Sequence, residues 1–160
     1  MHKEILTPEQ AELLPLVADF SRKFGLVGGT AVALQIGHRR SLDFDLFTET
    51  EFKNQSILNR ISKTLKIDKV IVNKLDELTF IVNGVKFTFF HYSYKIDYSE
   101  KLRSAIKMPN LLTLAAMKAF ALGQRSKWKD YVDLYFIIKN YHKINEIVRQ
   151  GKKLFGTMFN

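Results

Sequence analysis

The sequence predicts an α/β (α+β) domain: a small mixed, twisted sheet flanked by helices, followed by a helical C-terminal part. Three observations carry that expectation. Runs of strand character occur at 26–27, 42–47, 69–73, 78–82 and 85–94, and the Asn83-Gly84 pair marks a two-residue hairpin. Apolar residues recur at helical spacing near the N-terminus, again around 52–65, and throughout 110–154. Finally, 160 residues with a hydrophobic fraction of 46% suffice for one core and not for two ordinary domains. A single domain over 1–160 follows, with the sheet in about 1–95 and the helical part in about 110–160. No repeat, low-complexity stretch or linker interrupts it.

The elements can be justified in order. Thr7-Pro8-Glu9-Gln10 opens a first helix, since Thr7 can cap, Pro8 suits the first helical position and Gln10 can complete a capping box. Leu13, Leu14, Val17 and Phe20 extend it to about Phe24. Leu26-Val27 reads as a short buried strand. After Gly28-Gly29 a second helix starts at Thr30 and ends at Gly37. Leu42, Phe44 and Leu46 alternate with Asp43 and Asp45, which makes a strand with one apolar and one acidic face. Phe52, Leu58, Ile61 and Leu65 mark a third helix. Lys95 to Pro109 is irregular and basic, a loop or a short edge strand. Asn110 caps an apolar helix that stops near Gly123. Further helices are expected from about Lys127 to Asn140 and from Lys143 to about Leu154.

Composition narrows the functional classes. The chain has no cysteine, so disulfides and thiolate metal sites are excluded. Neither a membrane-length apolar run nor a secretory leader is visible, and a cytoplasmic protein is expected. The net charge of +9, from 25 Lys+Arg against 16 Asp+Glu, favours an anionic partner such as nucleic acid, although solubility alone also accounts for it. The denser basic stretches are 101–107 and 125–129.

The chemistry concentrates between Gly28 and Asp45. A Gly-Gly turn entering a helix lets backbone N–H groups approach an anion, and the helix N-terminus adds a favourable dipole. Thirteen residues (30–42) then separate Gly29 from Asp43. Asp43 and Asp45, two apart on a strand, lie on one face about 6–7 Å apart at the backbone, and their oxygens can converge on a hard cation such as Mg²⁺ or Mn²⁺. A phosphate cradle and a metal site thus fall in one short unit. Lys118 is a second anomaly: it stands on the apolar stripe of Leu111, Leu114, Ala115 and Leu122, where it either snorkels to water or reaches into a cleft. Asp130 and Asp133 share a helix surface. Asp133, among Val132, Leu134 and Phe136, needs a partner such as Lys118 or Arg40, and at least one of the two acids is expected in a cleft. His38 reads as a loop residue. His91, Tyr92 and Tyr94 could stack on a base, but cross-strand packing is the simpler reading.

Val27-Gly28-Gly29 followed by Asp43-Phe44-Asp45-Leu46 resembles the signature of the nucleotidyltransferase superfamily that includes DNA polymerase β. The fuller pattern of GGTA, HRRS and DFDLF is similar to the AbiEii/AbiGii-type family of bacterial toxin–antitoxin and abortive-infection systems. Lys118, Lys129, Asp130, Asp133 and Leu134 match that family's C-terminal signature, so the resemblance covers about residues 25–140. It implies the nucleotidyltransferase fold, with about 1–95 as catalytic core. It also implies transfer of a nucleoside monophosphate from an NTP to an acceptor such as RNA (tRNA), with a cognate antitoxin as a possible partner. Asp43 and Asp45 would be the metal ligands. Gly28, Gly29, Thr30, Arg40, Ser41 and Lys118 would hold nucleotide, with Lys118, Asp130 and Asp133 adding to the catalytic set. Two departures stand out. Thr88 occupies the place expected for a third carboxylate, and further C-terminal helices expected of the family are not seen, so part of the acceptor region would be missing or supplied by a partner. Transfer to a small molecule or a protein, and a non-catalytic interaction module, are the alternatives.

Overall fold

Side-chain alternation builds the sheet. The computed structural model describes residues 1–102, 105–125 and 127–159. Strands β1 (Gly25–Val27), β2 (Asp43–Thr48), β3 (Lys69–Lys74), β4 (Glu77–Val82) and β5 (Val85–His91) form a five-stranded sheet in the order β1-β2-β5-β4-β3. Strands β2 and β5 run parallel and the other pairings are antiparallel, which makes the sheet mixed. Asn83 and Gly84 adopt φ of 48° and 73°, the left-handed pair that a tight β4–β5 hairpin requires.

One face of the sheet is packed. Phe44, Leu46, Leu78, Phe80, Phe87 and Phe89 are fully buried. Phe20 and Phe24 each meet the Phe89 ring edge-on with centroids 4.9 Å apart. The opposite face carries Asp43, Asp45, Lys86, Thr88, Glu77 and Thr79, because each lies two residues from the next along its strand. Leu42 does not join the apolar face: it precedes β2 and is 53% exposed.

The N-terminal helix divides. A 3₁₀ turn (Lys3–Ile5) precedes α1 (Pro8–Glu12), which carries the expected Thr7/Gln10 capping box, and α2 (Leu14–Phe20) follows as a separate helix. Pro15 explains the division, since it lacks an N–H and its ring crowds the carbonyl four residues back, so it fits only a helix start. Helix α3 (Gly28–Ile36) begins at Gly28 rather than Thr30 and ends on Gly37 at φ 66°. Helix α4 (Asn54–Ile61) buries Ile57 and Ile61.

The basic segment after the sheet is not a plain loop. Strands β6 (Glu100–Leu102) and β7 (Ile106–Met108) pair antiparallel as a second, two-stranded sheet; residues 103–104 of this stretch, like residue 126 of the other basic stretch, lie outside the described residues. Asn110 accepts the Thr113 N–H at 2.9 Å and starts α5 (Leu111–Leu122). Helix α5 packs against α3, α6 (Trp128–Asn140) and α7 (Ile144–Phe155). A small aromatic core joins the helices to the end of β5: Phe120 and Phe155 stack at 4.1 Å, and Tyr94 meets Phe155 edge-on at 4.8 Å. His91 pairs with Asp76 at 2.8 Å. Tyr92 meets Phe47 of β2 with centroids 5.2 Å apart, the expected cross-strand packing, whereas Tyr94 packs on the helices. Among the described residues no helix is long and apolar enough to cross a membrane.

Candidate functional site

The β1–α3 junction backs directly onto the acidic strand. Gly28 has φ 70°, and a Cβ built there would fall 2.2 Å from Asp45 Oδ2. Only glycine permits this turn and this approach. A methyl at Gly29 would run into the Arg39 guanidinium and crowd Ser41 Oγ. Thr30 is buried, and its hydroxyl donates to the Asp43 carbonyl. The first turn of α3 is therefore fixed to β2, and the Val27–Asp45 pairing sets the register.

A cleft of about 570 Å³ opens over this junction, between the polar face of the sheet and α5. Gly28, Asp43, Asp45, Lys86, Thr88 and Lys118 all line it. Asp43 Oδ2 accepts from Lys86 Nζ at 2.8 Å, a contact that follows from the β2–β5 register, where the two residues are direct neighbours. Asp45 is partly open to the cleft and enclosed on its other sides. Desolvation pushes its carboxyl above the usual range, and the negative charge of Asp43 adds to the shift. Thr88 stands beside Asp45 and its hydroxyl accepts from Thr79 at 3.4 Å. A further acid, Glu77, also lines the cleft and pairs with Lys74 at 3.0 Å. Lys86 and Glu77 escaped the sequence reading, and Arg125 and Lys127 entered it only as part of a dense basic stretch. For Lys86 the signal was present, since it alternates with Phe87 as Asp43 does with Phe44.

The C-terminal acids sit behind the cleft rather than in it. Lys118 Nζ donates to Asp130 Oδ1 at 2.6 Å and to Asp133 Oδ2 at 2.9 Å. Asp133 also accepts from Arg39 Nε at 2.6 Å, Arg39 Nη2 at 2.9 Å and His38 Nε2 at 2.6 Å. Burial alone would raise the Asp133 carboxyl, but the His38 and Arg39 hydrogen bonds and the Lys118 charge hold it well below the usual carboxylate range. Both acids are at most 2% exposed and neither lines the cleft, which corrects the expectation of a cleft acid on α6. The cause is charge pairing: α6 is close enough to present its carboxylates to the ammonium of Lys118 and to the α3–β2 connection. Arg40 is exposed, lines no part of the cleft, and contributes its carbonyl to Arg39 Nη1 at 2.9 Å; Arg39 takes the place expected for it beside Asp133. Ser41 is buried next to Gly29 and also lies off the cleft wall. His38 lies in the connection after α3, as expected of a loop residue, but its side chain is 2% exposed. A 2.6 Å approach to a carboxylate needs its proton on Nε2, and Nδ1 has no hydrogen-bond partner among the described residues.

Two carboxylates on one strand face supply hard oxygen donors, and the space that a Gly28 Cβ would fill leaves Asp45 reachable from the cleft. That set fits Mg²⁺. Among the described residues no three His, Asp or Glu side chains gather in a metal-binding group, so the cleft offers a pair of carboxylates and no third acid beside them.

No protein-family profile matches the sequence. "Uncharacterized protein aq_aa25" of Aquifex aeolicus is 37% identical over 160 residues, which take in 96% of this chain and 77% of that protein. Among solved structures, a candidate nucleotidyltransferase from Helicobacter pylori superposes with a TM-score of 0.61 at 16% identity, over 92% of this chain and 77% of its own. The antibiotic-resistance factor ANT(2'')-Ia superposes with a TM-score of 0.63 at 10% identity, over 91% of this chain and 89% of its own. These likenesses establish the nucleotidyltransferase fold, and by the extent of its sequence identity the chain belongs to the family of A. aeolicus aq_aa25.

Proposed function

We propose that the protein is a Mg²⁺-dependent nucleotidyltransferase that moves a nucleoside monophosphate from an NTP to an acceptor hydroxyl and releases pyrophosphate. One observation carries the reading: the glycine hinge, the Asp43/Asp45 pair and Lys118 meet around a single cleft. Asp43 and Asp45 hold the divalent ion. Bound there, Mg²⁺ would supply positive charge to offset the charge that develops on the phosphates. The backbone N–H groups at Gly28, Gly29 and Thr30 offer the triphosphate a helix N-terminus. Lys118 is positioned by Asp130 and Asp133 and adds a cation at the cleft wall, as do Lys86, Arg125 and Lys127. Attack of the acceptor oxygen on the α-phosphorus forms one P–O bond as the bond to the β-phosphate bridge breaks, and the hydroxyl proton passes to water. Positioning and charge neutralisation supply most of such catalysis, so Thr88 in place of a third acid is compatible with turnover.

The acceptor in this reading is RNA, a transfer RNA by family resemblance, and the toxin role with a cognate antitoxin follows from the same resemblance. Incubation with each labelled NTP and separation into RNA, protein and small-molecule fractions tests the whole reading. Label is expected in RNA, and Asp43→Asn or Asp45→Asn should each lower incorporation at least about a hundredfold, the scale of losing a charge-stabilising group. Full activity in either variant refutes the metal assignment. Label in the small-molecule fraction instead would favour the second reading, small-molecule transfer, which the likeness to the antibiotic-resistance factor ANT(2'')-Ia supports.

A further inference from the structure

The outer face of α6 carries an unpartnered row of rings. Trp128 is 78% exposed, Tyr131 50%, Tyr135 57% and Ile138 39%, and their spacing of three, four and three residues places them on one stripe. A soluble protein seldom leaves so many large side chains in water without a use for them. The charge on the same helix is one-sided. Its two acids, Asp130 and Asp133, are buried against Lys118 and Arg39, while Lys129 and Lys139 are exposed, as is Lys127 at the cap. Lys139 Nζ lies 5.5 Å from the Tyr135 ring centroid. The row also begins at the site, because Arg125 and Lys127 line the cleft immediately before Trp128.

We propose that this face of α6 is the docking track for a single-stranded RNA end, whose bases stack on Trp128, Tyr131 and Tyr135 while the flanking lysines neutralise its phosphates. The proposal rests on the transfer reading above for its direction: it leads an acceptor hydroxyl from α6 past Lys127 into the cleft. Rings that offer π-faces without polar selectivity, set among cations on a helix whose own acids are buried, are the chemistry by which unpaired nucleic acid is held. An acidic protein segment would meet the same lysines, but would have no reason to require a row of flat rings that ends at a phosphate-transfer cleft. A second copy of this chain is disfavoured by placing lysines against lysines.

Trp128 is the chain's single tryptophan, so its fluorescence reports on this face directly. The full chain is titrated with a short single-stranded oligoribonucleotide, with the same sequence as a duplex, and with heparin. Saturable quenching of Trp128 by the single strand is expected, weakening as salt rises. The Tyr131→Ala/Tyr135→Ala variant should bind at least about tenfold more weakly, since it removes two base–ring stacks. Both positions are exposed, and an unchanged circular dichroism spectrum and melting midpoint verify the fold. Equal affinity of the double variant, or equal quenching by duplex or heparin, overturns the proposal. So does a wild-type dimer in light scattering that the double variant dissolves, which would make the stripe a self-interface. Asp45→Asn separates the two readings: it should bind the oligoribonucleotide as the wild type does and transfer nothing. RNA held on α6 without transfer from any NTP would sink the enzymatic reading alone, whereas transfer with RNA affinity indifferent to α6 would sink the docking track alone.

Discussion

At the residue scale, Asp45 shows how a site works against the fold that holds it. Its carboxyl is pushed up by desolvation and by Asp43, so the folded protein prefers it neutral. A group with a raised folded value contributes stability below its unfolded value, about 3.9, and loses it as pH rises through the folded one. At neutral pH Asp45 is therefore a cost to the fold, and Asp45→Asn should raise the melting midpoint, by roughly 2–4 °C for each kcal/mol relieved. Calorimetry without divalent ions tests this, and a lowered midpoint would contradict it. The stabilisation by added Mg²⁺ expected of the wild type should vanish in the variant. Lys86 bears on the same balance. Its ammonium at 2.8 Å already offsets Asp43, so Lys86→Met should tighten the binding of Mg²⁺ alone, measured by titration calorimetry, while weakening the binding of nucleotide.

At the element scale, the β1–α3 turn is the least replaceable piece of backbone. Gly28→Ala must place a side chain at φ 70° and on top of Asp45, and should cost at least about 1–2 kcal/mol in chemical unfolding as well as activity. A fold and midpoint unchanged by that substitution would show that the turn is slack. Most of this element was legible in the sequence, because glycine next to glycine, a helix and two alternating acids each leave a local signature. The sheet was legible for the same reason, since strand alternation and an Asn-Gly turn are local. What escaped was set by distant pairing. Lys86 reaches Asp43 only because β2 and β5 run parallel in a particular register. Arg39 was indistinguishable from Arg40 by pattern, and only the turn after α3 decides which of them meets Asp133. The division between α1 and α2 was signalled by Pro15, but the continuous apolar spacing obscured it.

At the scale of the molecule, the buried charge network joins the sheet-bearing part to the helical part. Asp133 on α6 accepts from His38 and Arg39 in the α3–β2 connection and from Lys118 on α5, so three segments far apart in sequence converge on one carboxylate with no solvent exposure. Removing one partner of such a set leaves the others buried and uncompensated, which costs more than the intact set contributes. Asp133→Ala should therefore lower unfolding free energy by about 3–5 kcal/mol. The effect should localise as well: backbone amides of α6 should exchange hydrogen faster than those of β2 and β5, because α6 loses the Asp133 part of its polar attachment and keeps the Asp130–Lys118 pair, while the sheet keeps its apolar one. The pH dependence has the opposite sign to that of Asp45. Asp133 is held below its ordinary value, so its contribution is complete above about pH 4 and falls away as acid protonates it, and the variant should lack that acid-side loss. A variant that unfolds at the wild-type denaturant midpoint, or whose acid transition is unchanged, would mean that apolar packing of Leu134 and Ile137 alone fastens α6. In that case Lys118 would owe its position at the cleft to α5 rather than to the acids behind it.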